Sequence, residues 1–222
     1  KDLSIEYMVD GKNEVFNCEK ILMGVGVQPN SDDIGLENLG IKTYGPGFIE
    51  VDGHMKTNIN GIYAVGDING KLPLAHVAFD QGVVAAETIA GENVEGIDDY
   101  SSMPKCTYCQ PQVGSLGLTE SKARDLGHNI KVGKFFFRAS GKAMAIGNTF
   151  GFVKLIFDDR YGELIGAHII GDGATEMIAE LNIAKALEST WEDLAMTMHA
   201  HPTLSEAVME AAMDAFGSAI HQ

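Results

Sequence analysis

At 222 residues and 45% hydrophobic content, the chain is long enough to bury a core, and its length suits one or two domains. A formal net charge of −15 excludes nucleic acid and anionic membrane surfaces as natural partners. No apolar run reaches the ~18–20 residues that a membrane-spanning helix needs.

In chain order, Leu3 to Val9 alternates loosely as a strand. Asp10-Gly11 is a hairpin turn signal, and Glu14 to Cys18 reads as the return strand. Ile21 to Val27 is a continuous apolar run stopped by Pro29-Asn30, the pattern of a buried strand. The chain opens on Lys1-Asp2-Leu3 without a Met or a signal peptide, and three strands alone do not make a domain. It therefore reads as a piece of a longer protein.

Between Asn30 and Ile97 the pattern is α/β. Gly47 to Val51 and Gly61 to Val65 are predicted strands, the second running into Gly66-Asp67. Leu74 to Ala90 carries apolar residues at helical spacing, with Gly91 as its stop. Asp67 thus falls at the carboxyl end of a strand, where open α/β sheets bind ligands. Glu92 to Met103, acidic and turn-rich, reads as a linker.

From Pro104 the grammar becomes α+β. Strands are expected at Val113–Leu118, Ile130–Phe137, Phe152–Phe157 and Glu163–Ile170. One helix, between Thr119 as N-cap and Gly127 as stop, separates the first two. Helices then follow. Ala174, Met177, Ile178, Leu181, Ala184 and Leu187 share one face, Thr190-x-x-Asp193 resembles a capping box, and Leu204 to Ala215 presents a narrow stripe of small residues. Such small-residue faces suit an isologous dimer interface. Cys18, Cys106 and Cys109 are too few for a disulfide framework, which points to a reducing, cytoplasmic setting. Cys106-x-x-Cys109, without a second pair, reads as ordinary thiols in a strand.

The segment richest in chemistry is His199-Ala-His201-Pro-Thr-Leu-Ser-Glu206. Histidine suits proton transfer near neutral pH. Glu206 can turn back to orient the His201 imidazole, or it can close a Thr203-x-x-Glu206 capping box; the two jobs coexist if its oxygens divide the work. A metal reading of His199, His201 and Glu206 has no matching zinc spacing, so no metal site is expected. No nucleophile lies nearby.

Two separated blocks carry a resemblance. Thr57-Asn58-x-x-Gly61-Ile-Tyr-Ala-Val-Gly66-Asp67, continued by Leu74-Ala75-His76-x-Ala78, and the His199–Glu206 block together resemble the pyridine nucleotide–disulfide oxidoreductases. Within that family the wording is most similar to the lipoamide-oxidising branch, the dihydrolipoyl dehydrogenases. The resemblance implies three portions: residues 1–29 as the last strands of an NAD-binding domain, 30–97 as the C-terminal segment of the FAD domain, and 98–222 as the dimerisation domain. It implies that Gly66 and Asp67 meet the FAD ribitol and that backbone at Pro73, Leu74, Ala75 and His76 lies against the flavin ring. Gly26 would meet the nicotinamide nucleotide, although Val27-Gln28 stands where many relatives carry Arg. His201 would be the acid/base of the other subunit's site, with Glu206 fixing its tautomer. The Gly-rich cofactor motifs and the Cys-x4-Cys redox pair of such enzymes are not in this sequence. The implied whole is an FAD- and NAD-using homodimer that oxidises dihydrolipoamide on the lipoyl domains of 2-oxo acid dehydrogenase or glycine cleavage complexes. Two alternatives stay open: a catalytically inert dimerisation module, and a glutathione- or mercuric-reductase-like enzyme. Against a mercuric reductase, Ser218 to Gln222 holds no vicinal cysteines.

Overall fold

Asp10 and Gly11 both take left-handed backbone, at φ 50° and 75°. That turn folds β1 (Leu3–Val9) onto β2 (Lys12–Cys18) in antiparallel register, Leu3 opposite Cys18 and Val9 opposite Lys12. The computed structural model describes residues 3–221. Both faces of this hairpin are largely exposed. The strand expected at Ile21–Val27 does not form: the run has no regular structure, and Leu22 and Val25 are 95% and 87% exposed. A buried strand needs hydrogen-bonded neighbours and covered faces, and no described segment pairs with this one.

A second unit gathers around Ile41, Ile49, Val51, Met55, Ala64 and Ala85. It contains α1 (Leu36–Leu39), the short pair β3 (Thr43–Tyr44) and β4 (Phe48–Ile49), a 3-10 turn at Asp67–Asn69, and α2 (Ala75–Ala90). The strand expected at Gly47–Val51 shrinks to β4, and the one at Gly61–Val65 to a single bridge between Lys56 and Tyr63. Two short pairings cannot extend a sheet without further neighbours. Gly91 ends α2 as foreseen, its N–H reaching the Thr88 carbonyl. The expected linker is packed rather than loose. Ile97 N–H donates to the Gly53 carbonyl at 2.7 Å, and the Gln81 amide reaches the Tyr100 hydroxyl at 3.1 Å.

The third unit is an antiparallel five-stranded sheet in the order β5 (Lys105–Thr107), β6 (Gln112–Gly117), β9 (Leu164–Gly171), β8 (Phe152–Asp158), β7 (Ile130–Phe136). Four of these strands match the expected ones closely; the strand expected around Cys106 and Cys109 forms only as the three-residue edge β5, which holds Cys106 and leaves Cys109 outside. Two short helices join strands. α3 (Glu120–Asp125) has the Thr119 side chain as its cap, accepting from Lys122 N–H. In α4 (Gly141–Ala145) Ser140 does the same for Ala143 N–H.

One face of the sheet is covered by helices. α5 (Ala174–Ala186) lies on β6 and β9, and α7 (Glu206–Asp214) on β7 and β8, with α6 (Trp191–Met196) against α7. The Thr190/Asp193 capping box opens α6. Leu116, Phe135, Val153, Leu155, Phe157 and Ile169 form the sheet side of the core. The small-residue stripe of α7 is not left free for a partner: Ala207, Val208, Ala211 and Ala212 are all fully buried against the sheet.

Candidate functional site

The loop between α6 and α7 delivers His201. Its imidazole is 78% exposed, and Nδ1 lies 2.8 Å from Glu206 Oε1. The other oxygen, Oε2, accepts the Thr203 backbone N–H at 2.8 Å. So the carboxylate faces the imidazole with one oxygen and holds the loop backbone with the other. The Thr203 half of a capping box is absent, since its hydroxyl donates to the Ala200 carbonyl instead and helix α7 starts at Glu206 itself. Burial raises the Glu206 pKa, but the Thr203 N–H and the His201 ring outweigh it, leaving the carboxyl below its ordinary value. An ionised Glu206 accepts Nδ1–H, which leaves the Nε2 lone pair of a neutral ring facing solvent as a base. His201 and Glu206 also border a cavity of about 290 Å³, with Phe135, Met144 and Met209 on its apolar side.

A second histidine–carboxylate pair borders the same cavity. Glu210, one turn along α7 and 2% exposed, receives His221 Nδ1 at 2.6 Å on Oε1, and the Ile220 and His221 N–H groups on Oε2. Sequence reasoning missed it because the two residues are eleven apart, on opposite sides of the end of α7.

The other cluster is built on Gly66. Its φ of 80° and ψ of −157° lie in a region open to glycine almost alone. Gly66 N–H donates to Gln81 Oε1 at 2.7 Å, and the same oxygen receives the Asn69 amide at 2.8 Å. Asn69 and Gln81 are 1% and 0% exposed, so a buried polar network fixes the turn that presents Asp67. Gln81 had a signal: it sits between Val77 and Ala85 on the buried stripe of α2, where a polar residue needs a partner. Asp67 is exposed, and its carboxylate has no hydrogen bond to the described residues.

Leu74 is the extended N-cap of α2 with no side-chain cap, so the first-turn N–H groups are open to a ligand's negative charge. His76 Nε2 lies 2.8 Å from the Pro104 carbonyl, tying this end of α2 to the start of the third unit. A free carboxylate accepts from ribitol hydroxyls and open helix amides donate to an electron-rich ring edge, so these residues fit a flavin. Pro73, Leu74, Ala75 and His76 lie at the N-terminal end of α2, and Gly66, next to Asp67, is held on Gln81 of the same helix. Gly26 lies apart, in the irregular exposed run. No hydrogen bond joins the His201 loop to the Asp67 cluster among the described residues.

Cys106 lies half-buried in β5 and burial pushes its thiol up, while Cys109 is exposed. Neither has the setting of an activated thiolate. No group of three metal-ligating side chains occurs among the described residues, and no described helix is long and apolar enough to cross a membrane.

An antiparallel sheet backed by helices, following a glycine–aspartate turn at a helix N-terminus, defines the class. Residues 103–212 match the dimerisation domain of the pyridine nucleotide-disulphide oxidoreductases, and residues 1–82 match the pyridine nucleotide-disulphide oxidoreductase model. The chain belongs to this family. Its curated relatives are dihydrolipoyl dehydrogenases. That of Rhizobium etli is 48% identical over 212 residues, 96% of this chain and 44% of the relative. That of Corynebacterium glutamicum is 45% identical over 99% of this chain and 48% of the relative. The chain thus spans about half the length of the relatives it matches. Among solved structures, LpdA from Mycobacterium tuberculosis superposes with a TM-score of 0.83 at 30% identity, over 90% of this chain and 43% of that one. The flavoprotein disulfide reductase RclA of Escherichia coli shares the fold, with a TM-score of 0.84 at 24% identity over 94% of this chain and 48% of that one.

Proposed function

We propose that this chain is the acid/base-bearing and dimerising part of a dihydrolipoyl dehydrogenase. The observation that carries the reading is the exposed His201 imidazole, oriented at 2.8 Å by a carboxylate whose other oxygen is fixed on the backbone. In the whole enzyme, dihydrolipoamide loses two thiol protons and two electrons and becomes the cyclic disulfide, with NAD+ as final acceptor. His201 Nε2 takes a thiol proton. The resulting thiolate attacks the redox disulfide of the other subunit, because the thiolate is the nucleophile. Bound FAD supplies the electron relay between that disulfide and NAD+. Asp67 would hold the ribitol, Gly66 would allow its close approach, and the backbone at Pro73, Leu74, Ala75 and His76 would lie against the ring. Gly26 contributes to the NAD side.

The domain reading follows: residues 1–29 belong to the NAD-binding domain, 30–97 to the FAD domain and 98–222 to the dimerisation domain. The partners are a second copy and the lipoyl domains of 2-oxo acid dehydrogenase or glycine cleavage complexes, in the cytoplasm. In the full-length enzyme, His201→Gln lowers dihydrolipoamide turnover by about 10²–10⁴-fold, the usual worth of a positioned acid/base, with flavin content unchanged. Near-wild-type turnover, measured alongside flavin absorbance, refutes the assignment.

A further inference from the structure

The two imidazoles of His199-Ala200-His201 have opposite settings. That of His201 is open. The His199 side chain is 6% exposed, and each of its ring nitrogens faces an oxygen: Nδ1 is 2.9 Å from the Thr197 carbonyl, and Nε2 is 2.6 Å from Glu180 Oε1 on α5. A carbonyl and an ionised carboxylate only accept hydrogen bonds. A neutral imidazole carries one N–H, so one nitrogen lone pair would confront an oxygen lone pair. The doubly protonated ring satisfies both contacts.

We infer that His199 is a positioning residue, held as an imidazolium, that pins the His201 loop to α5. This rests on the reading of His201 as the acid/base. The charged groups around His199 are Glu180 on α5 and Glu206 at the start of α7, with His201 on the far side of Glu206. The Glu180 hydrogen bond raises the His199 pKa, burial opposes it, and Glu206 adds a smaller favourable pull. In return the His199 charge helps to lower Glu206. Glu180 thus holds the His199 charge, and that charge adds to the groups that lower Glu206. Of the two histidines in the motif, one supplies fixed charge and the other moves the proton.

The first test is ¹⁵N-histidine NMR of the full chain, wild type and Glu180→Gln, from pH 5 to 9. The glutamine keeps the contact and removes the charge. In the wild type, His199 keeps its imidazolium shifts to higher pH than an ordinary histidine, whose value is about 6.5. In Glu180→Gln it loses the second proton at lower pH. A wild-type His199 that titrates at or below the ordinary histidine value overturns the inference whatever the turnover. The second readout is ¹³C-carboxylate titration of Glu206, with the pH profile of kcat/KM in the full-length holoenzyme. In His199→Gln the Glu206 titration and the acid limb move up, the direction that loss of a neighbouring positive charge gives, whereas in Glu180→Gln they do not move up, because His199 is still charged at the pH where Glu206 titrates. The conservative His199→Lys, which keeps the charge, restores the limb. An unmoved Glu206 titration in folded His199→Gln leaves His199 as a structural anchor and sinks the positioning role. If His199 is charged but His201→Gln retains turnover, the functional reading fails while the clamp stands.

Discussion

Glu206 serves two donors with two oxygens, and an amide cannot do the same. Gln at this position has one acceptor oxygen, so its NH2 must oppose either the Thr203 N–H or the His201 ring. Glu206→Gln is expected to cost about 1–2 kcal/mol at pH 7, the net worth of a charge-assisted hydrogen bond. The pH dependence has a definite sign. Glu206 has a lowered pKa in the folded protein, so its contribution is present above its unfolded value of about 4.3 and is lost as pH falls through the lower folded value. The difference in melting temperature between wild type and Glu206→Gln should therefore be full at pH 7 and close below pH ~4. A gap that persists unchanged at pH 3 contradicts the ionised double acceptor. His199 has the opposite sign: its raised pKa adds stability below about pH 6.5, which fades as pH rises through the folded value.

At the scale of elements, the helices find their places through glycines on the sheet. A Cβ on Gly133 of β7 would meet the Ala211 carbonyl oxygen and Ala215 N of the α7 segment, and one on Gly114 of β6 would meet the Ala174 carbonyl of α5 at 2.6 Å. Backbone cannot give way as a flexible side chain can. Gly133→Ala is therefore expected to push α7 off β7, destabilising the protein by about 1–3 kcal/mol. Because α7 starts at Glu206, the His201–Glu206 contact should loosen too, so the loss of turnover should exceed what the unfolded fraction explains. Chemical denaturation with turnover measured at the same temperature checks both.

These seats also mark what the sequence could reveal. The strands of the third unit and the caps at Thr119 and Thr190 were legible because period and cap chemistry are local signals. Ile21–Val27 and Gly61–Val65 were misread as strands because apolar runs announce burial but not the neighbour that completes a sheet. His201 and Glu206 were legible, five residues apart in one block. Glu180, Glu210 and Asn69 were not, because their partners come from other elements through tertiary folding.

The whole molecule leaves one face of α5 unexplained by its own core. Ala174, Met177, Ile178, Leu181 and Ala184 face the sheet and are buried. Ala179, Ile183 and Ala186 recur at helical spacing on the opposite side, and Leu187, expected on the buried face, is instead the exposed C-cap, with Ile183 63% and Leu187 72% exposed. A helix apolar on both sides belongs in an interior, and the loop beyond α6 adds Met196 and Met198, at 85% and 95% exposure. The third unit matches a dimerisation domain, so the occupant expected on this face is the same helix of a second copy, related by a two-fold axis that sets like residues together. Two aspartates there would confront two more across the axis while leaving the α5 core stripe intact. Ile183→Asp with Leu187→Asp should convert a dimer to a monomer by light scattering, with the far-UV circular dichroism unchanged. Turnover should fall with it, because the proposed site draws His201 from one subunit and the disulfide from the other. A double variant that stays dimeric would place the symmetry axis elsewhere. One that becomes monomeric and keeps full turnover would remove the case for a shared active site.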